Sequence, residues 1–213
     1  MLRTLETGAE RRDARLAAVM IHGRGRTPEE MAALGAALAV DGVRYYSPEA
    51  QSGSWYLGRF MEPLEANQPA LGQALAGLEG LVERLVVDGF SDDRIVLSGF
   101  SQGACLAADL LLRRPANYAA ALIFTGGLIG PPATVWRSKG RIDGVPVLLT
   151  GGDLDEWVPS ERVRETAEVL TGLGAAVETV VYADRPHVVC EDEILRARTL
   201  LNAQLSRLPE QAR

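Results

Sequence analysis

Residues 94–103 read RIVLSGFSQG, and 104–114 continue ACLAADLLLRR. The first run is short, apolar and β-branched, and it has the signature of a buried strand. The second carries apolar residues at helical spacing. Between them lies G-x-S-x-G, with Ser101 at its centre and Gly99 and Gly103 two residues to either side. A serine on a sharp strand-to-helix turn requires small residues at those two positions so that strand and helix can approach. A glycine-flanked serine is in most proteins a simple turn. The strand before it and the helix after it supply the context in which Ser101 reads as an exposed nucleophile.

The same alternation extends in both directions. Strands are predicted at Leu16 to Ile21, Val43 to Tyr46, Arg94 to Ser98, Ala120 to Thr125, Val145 to Thr150 and Val177 to Tyr182, with a weaker one at Leu2 to Thr7. Helical patterns occupy Pro28 to Val40, Pro69 to Val87, Gln102 to Arg113, Ser160 to Leu173 and Glu191 to Leu205. Strands alternating with longer helices predict an α/β fold with a mostly parallel central sheet and helices on both faces. Thr27 before Pro28 reads as an N-cap with Glu30 placed for a capping box, and Ser160 as the cap of a helix starting at Glu161. The stretch TGGLIGPP from Thr125 reads as a surface loop. The 213 residues suit one domain spanning 1–213, with 1–15 an N-terminal extension or edge strand and 206–213 a frayed tail.

Composition narrows the function. A net charge of -6, with no basic cluster, opposes binding to nucleic acid. The first fifteen residues lack a signal-peptide core, and no later apolar run reaches the roughly 20 residues needed to span a bilayer. A cytoplasmic protein without stable membrane insertion is expected. Two distant cysteines, Cys105 and Cys190, form neither a disulfide framework nor a CxxC pattern.

A serine nucleophile needs a base, and the chain has two histidines. His22 belongs to MIHGRG at the end of a strand, a place for oxyanion-hole architecture, which leaves His187 as the base after the last strand. The loop TGGDLDEWVP offers Asp153 and Asp155 as the acid, and spacing alone does not choose between them. The order Ser101, aspartate, His187 is that of an α/β-hydrolase. Oxyanion donors are expected from the backbone N–H of Gln102, next to the nucleophile, and of Arg24, with Gly23 and Gly25 letting the chain bend close.

Together MIHGRG, GFSQG, GGDLDEWVP and PHVVCEDEI resemble the phospholipase/carboxylesterase family of α/β-hydrolases, which includes acyl-protein thioesterases and bacterial carboxylesterases; the resemblance runs from about Leu16 to Leu205. It implies that Asp155, three residues before Val158, is the acid, with Asp153 in support, and that Arg24 and Gln102 are the oxyanion residues. It also implies that Trp55, Tyr56 and Leu57, with Gly23, border the acyl pocket, and the absence of a long insertion between the strands predicts little or no lid. The implied chemistry is hydrolysis of small-molecule carboxylic esters, thioesters or lysophospholipids through an acyl-enzyme. No metal or organic cofactor is implied, and a homodimer is an expectation of the same kind. The thioesterases carry an apolar residue where this chain has Arg24, whose side chain either points to the surface or meets a substrate carboxylate or phosphate. Two other readings remain: a dienelactone-hydrolase-like lactone-opening enzyme, a family that uses a cysteine nucleophile, and a catalytically silent binding protein of the same fold.

Overall fold

The structure, a computed structural model, describes residues 2–209. Seven strands form one sheet: β1 (Thr4–Gly8), β2 (Leu16–Ile21), β3 (Val43–Pro48), β4 (Ile95–Phe100), β5 (Ala120–Phe124), β6 (Pro146–Gly152) and β7 (Ala176–Tyr182). Their order is β1-β3-β2-β4-β5-β6-β7, all pairs parallel except β1 with β3. The weak candidate near the N-terminus is thus a true strand, closing one edge antiparallel to β3.

Four helices connect strands, α1 (Pro28–Leu38), α2 (Ala70–Val87), α3 (Gln102–Arg113) and α4 (Ser160–Gly172), and α5 (Glu191–Arg207) follows β7. The interior strands are buried almost throughout, because α2, α3 and α4 cover one face and α1 and α5 the other. Strand β2 shows how the sequence serves both layers. Ala17, Val19 and Ile21 join the core beneath α2 to α4, while Leu16, Ala18 and Met20 join the core beneath α1 and α5. This is the period of two expected of a strand with two buried faces.

Helix boundaries follow local chemistry with three differences. Thr27 Oγ1 accepts from the Glu30 N–H at 3.4 Å, with Pro28 opening α1, but the expected capping box is half formed, since among the described residues the Glu30 carboxylate accepts from Arg26 and not from the Thr27 N–H. Ser160 is already inside α4, whose N-cap is Pro159, so it does not cap that helix. Helix α5 runs on to Arg207, two residues into the expected frayed tail, and 210–213 lie outside the described residues.

The larger correction concerns residues 125–130. Within the predicted surface loop TGGLIGPP they are buried, and only Pro131 and Pro132 emerge from the core. Their polar backbone is satisfied by distant side chains. Arg162, itself buried, donates to the Leu128 and Gly130 carbonyls at 2.8 Å each, Trp136 Nε1 donates to Ile129 at 2.8 Å, and Thr166 Oγ1 accepts from the Leu128 N–H at 2.9 Å. A buried loop is stable only when its peptide groups are paired in this way.

Strand order reverses between β2 and β4: the chain steps outward from β2 to β3 and then returns to β4 on β2's other side. In open α/β sheets ligands bind beyond the carboxyl ends of the strands at such a switch point. Here those ends carry His22 to Gly25 and Ser101.

Candidate active site

Ser101 sits between β4 and α3 with φ 56° and ψ -119°, a conformation L-residues rarely adopt. The turn holds because its surroundings fix it. The Ser101 N–H donates to the Phe124 carbonyl and its carbonyl accepts from the Cys105 N–H, both at 3.0 Å. A Cβ on Gly103 would lie 2.0 Å from the Ile21 carbonyl oxygen, and one on Gly99 2.3 Å from the Gly103 backbone. Both glycines are therefore steric requirements of the elbow.

Facing Ser101 is His187, in the loop between β7 and α5. Its Nε2 is 2.7 Å from Ser101 Oγ and its Nδ1 2.7 Å from Asp155 Oδ2. With an ionised carboxylate at Nδ1, the proton belongs on Nδ1 and Nε2 is left to accept from the hydroxyl. The ring packs against Phe100, centroids 5.1 Å apart. Asp155 is buried in the loop after β6, and its other oxygen accepts from the Trp157 and Val158 N–H groups at 2.8 and 2.9 Å. Burial disfavours the charged carboxylate, but the bonds from His187, Val158 and Trp157 together outweigh it and hold the carboxyl below the usual range.

The two aspartates that spacing left open are distinct in the structure. Asp153 is exposed, and among the described residues its carboxylate has no hydrogen bond to His187. Asp153→Asn is expected to leave kcat/KM near wild type and to change stability by no more than about 0.5 kcal/mol, as surface substitutions do. Steady-state kinetics with a thermal melt check this, and a loss comparable to that of Asp155→Asn would reverse the assignment.

Gln102 and Arg24 line the same cavity as the nucleophile. Gln102 opens α3, so its N–H has no acceptor within the helix and carries the positive end of the helix dipole. Among the described residues the Arg24 N–H has no backbone acceptor either. Both residues use their side chains on one segment. Gln102 Oε1 accepts from the Trp55 N–H at 3.0 Å and its Nε2 donates to the Tyr56 carbonyl at 2.9 Å. The Arg24 guanidinium bends back to donate to the Leu57 carbonyl at 2.6 Å and the Gly58 carbonyl at 2.5 Å. Residues 54–58 are thus a strap tied to both candidate oxyanion positions.

The strap also corrects part of the pocket expected from the sequence. Gly23, Arg24, Tyr56, Ser101, Gln102 and His187 line one cavity of about 270 Å³. Trp55 does not: it is 4% exposed, inside the core, donating Nε1 to the His22 carbonyl at 2.8 Å. Leu57 is 83% exposed and also lies outside the lining. The apolar wall is built instead by Tyr56, Phe60, Phe100, Trp157 and Val158. Alternation along a strand tells which residues face a core, and an irregular strap offers no such period.

His22 is buried with a defined tautomer. Its Nε2 accepts from the Ala50 N–H at 3.1 Å, so Nδ1 carries the proton and donates to the Gly23 carbonyl at 2.7 Å. Burial lowers its pKa below 6.5. The unfolded chain takes up this proton near pH ~6.5 while the native state resists it until lower pH. The contribution to stability is therefore complete above about pH 6.5 and is lost progressively as pH falls below it. We expect the wild-type Tm to drop between about pH 7 and 5 and His22→Gln to show a shallower drop. Equal slopes in the two proteins would remove His22 as the cause.

Sequence reading missed Arg185 and Glu193 behind His187. Arg185 is buried and paired with Glu193, and it also donates to the Val188 carbonyl at 2.5 Å and to Thr125 Oγ1 at 3.3 Å. Glu193 also accepts from Thr150 Oγ1 and, at 2.7 Å, from the Cys190 N–H, closing a capping box at the start of α5. The Arg185 carbonyl accepts from the Leu154 N–H at 3.2 Å, so one residue braces the loops that carry both Asp155 and His187. A glutamate three residues after Cys190 was the legible signal of that cap.

The phospholipase/carboxylesterase family model matches residues 4–205. The chain belongs to the phospholipase/carboxylesterase family. It is 38% identical to a phospholipase/carboxylesterase of Dyadobacter fermentans of known structure, covering 94% of this chain and 97% of that one with a TM-score of 0.90. It is 29% identical to acyl-protein thioesterase 1 of Gibberella zeae over 70% of this chain, and 36% identical to that of Eremothecium gossypii over 38%. The matched stretches span 65% and 34% of those two curated relatives. The family relationship carries the α/β-hydrolase fold with it, and no helix among the described residues is long and apolar enough to cross a membrane. Cys105, which also borders the family's cavity here, is fully buried, and burial pushes its thiol up to about 12. It is not a thiolate nucleophile at neutral pH.

Proposed function

We propose that the protein is a serine hydrolase of small carboxylic esters, with thioesters within its range, acting through Ser101, His187 and Asp155. The observation that carries this reading is the unbroken hydrogen-bonded chain from Ser101 Oγ through both nitrogens of His187 to Asp155 at the mouth of the cavity. His187 Nε2 takes the Ser101 proton as Oγ forms a bond to the substrate carbonyl carbon. The carbonyl oxygen gains charge and accepts from the N–H groups of Arg24 and Gln102, because backbone donors held by the fold cost little reorganisation. The tetrahedral intermediate collapses, and His187 returns the proton to the departing alcohol or thiol. Water then attacks the acyl-enzyme with His187 again as base, releasing the acid and restoring Ser101.

Membership of the phospholipase/carboxylesterase family supports ester chemistry, and the acyl-protein thioesterases among the relatives extend it to thioesters. The cavity suits short acyl groups or small soluble esters. Two unpaired cysteines fit a reducing compartment, so the reading includes a cytoplasmic enzyme.

The test is hydrolysis of p-nitrophenyl esters of graded chain length by wild type and Ser101→Ala, with fluorophosphonate labelling read by mass spectrometry. Turnover lost in the variant, with the label on Ser101, supports the proposal. No turnover and no label would favour a silent binding protein.

A further inference from the structure

The cavity that holds Ser101 is cationic in a protein whose net charge is -6. Three arginines line it, Arg24, Arg26 and Arg59, and its lining contains no aspartate or glutamate. Each guanidinium lies over an aromatic ring of the same cavity: Arg24 over Tyr56 at 5.9 Å, Arg26 over Phe100 at 5.8 Å and Arg59 over Trp157 at 5.2 Å. Stacking fixes the planar groups without neutralising them.

Their charges are largely uncompensated. Arg24 donates only to peptide carbonyls, which take hydrogen bonds and carry no net charge. Among the described residues Arg59 has no carboxylate within ion-pair distance, and Arg26 has a single long contact, 3.4 Å to exposed Glu30. The nearby Asp155 is buried and committed to His187. All three arginines are exposed at the cavity mouth, where their summed field meets an incoming anion and is screened by salt.

We infer that the substrates are esters bearing an anionic group, a carboxylate or phosphate, a few bonds from the scissile carbonyl, and that Arg59 and Arg26 determine this specificity. The inference rests on the hydrolase reading above and adds the charge of the substrate to it. A planar guanidinium fork held beside an open cavity matches a carboxylate or phosphate two oxygens at a time.

The experiment uses two matched pairs of esters. In the first the charge is on the acyl side, p-nitrophenyl hemiglutarate against p-nitrophenyl pentanoate. In the second it is on the leaving group, 4-carboxyphenyl acetate against its neutral methyl ester. Wild type is expected to favour the anionic member of at least one pair by about tenfold in kcat/KM at low ionic strength, with the preference shrinking as salt screens it. The pair that shows it tells which side of the ester meets the arginines. In Arg26→Gln/Arg59→Gln the ratio is expected to fall toward one, mainly through KM. Turnover of the neutral esters with no anionic preference, or a preference untouched by the double substitution, overturns this inference and leaves the hydrolase reading standing. Absence of turnover with every ester removes both.

Discussion

Ser101→Ala is expected to lower kcat for ester hydrolysis by about 10,000-fold or more while the protein keeps its fold and its Tm. The loss follows from chemistry, because no other side chain at the cavity can take over the attack: Cys105 is buried with its thiol pushed up to about 12. His187→Ala should cost about as much, since Oγ would then have no acceptor for its proton. Asp155→Asn tests a different step. An amide NH₂ in place of Oδ2 would face Nδ1–H with another donor, and relief requires the imidazole to adopt the other tautomer, which presents N–H to Ser101. A drop of about 10,000-fold is expected here too. The three residues act as one unit, so Ser101→Ala/His187→Ala should be no slower than the worse single variant. Multiplying losses in the double variant would mean that the two residues work independently, and the hydrogen-bonded chain from Asp155 to Ser101 would not be the catalytic device.

The extent to which the site was readable depended on whether local or long-range physics decided each residue. The elbow was legible because its requirements are local: a buried strand, two glycines without room for a Cβ, and a helix starting at Gln102. The sheet was legible because strands buried on both faces must be largely apolar, as β2 and β5 are throughout and β4 is but for Ser98. Residues 125–130 misled because glycine and proline density signals a turn without saying whether distant groups pair its backbone. Here Arg162 and Thr166, more than thirty residues onward, do so. Trp55 and Leu57 misled because the strap has no periodicity to reveal which side chains face inward. The arginine ring was only half visible: Arg24 stood out within a motif, whereas Arg59 and Trp157 meet across roughly a hundred residues of chain, and only the fold places them together.

Glu193→Ala is expected to destabilise the protein by about 3–5 kcal/mol, because it leaves the Arg185 guanidinium buried without its counter-charge. For a chain of this size that corresponds to a fall in Tm on the order of 10 °C. The same substitution removes the acceptor of the Cys190 N–H and one of the two acceptors of Thr150 Oγ1, which loosens the start of α5 four residues beyond His187. A loss of kcat should therefore accompany the loss of stability, with KM for a small neutral ester little changed. The two effects are separable. Replacing the pair by hydrophobic residues of similar volume, Arg185→Met/Glu193→Leu, removes the unpaired charge and should return stability to near the wild-type value. It does not restore the ties from Arg185 to Val188 and Thr125, so kcat should stay low if the pair positions His187. Melting curves and steady-state kinetics on both variants decide the matter. Recovery of kcat together with Tm in the apolar double variant would show that the pair contributes only stability, and that the His187 loop is held by packing against Phe100 and the Asp155 hydrogen bond alone.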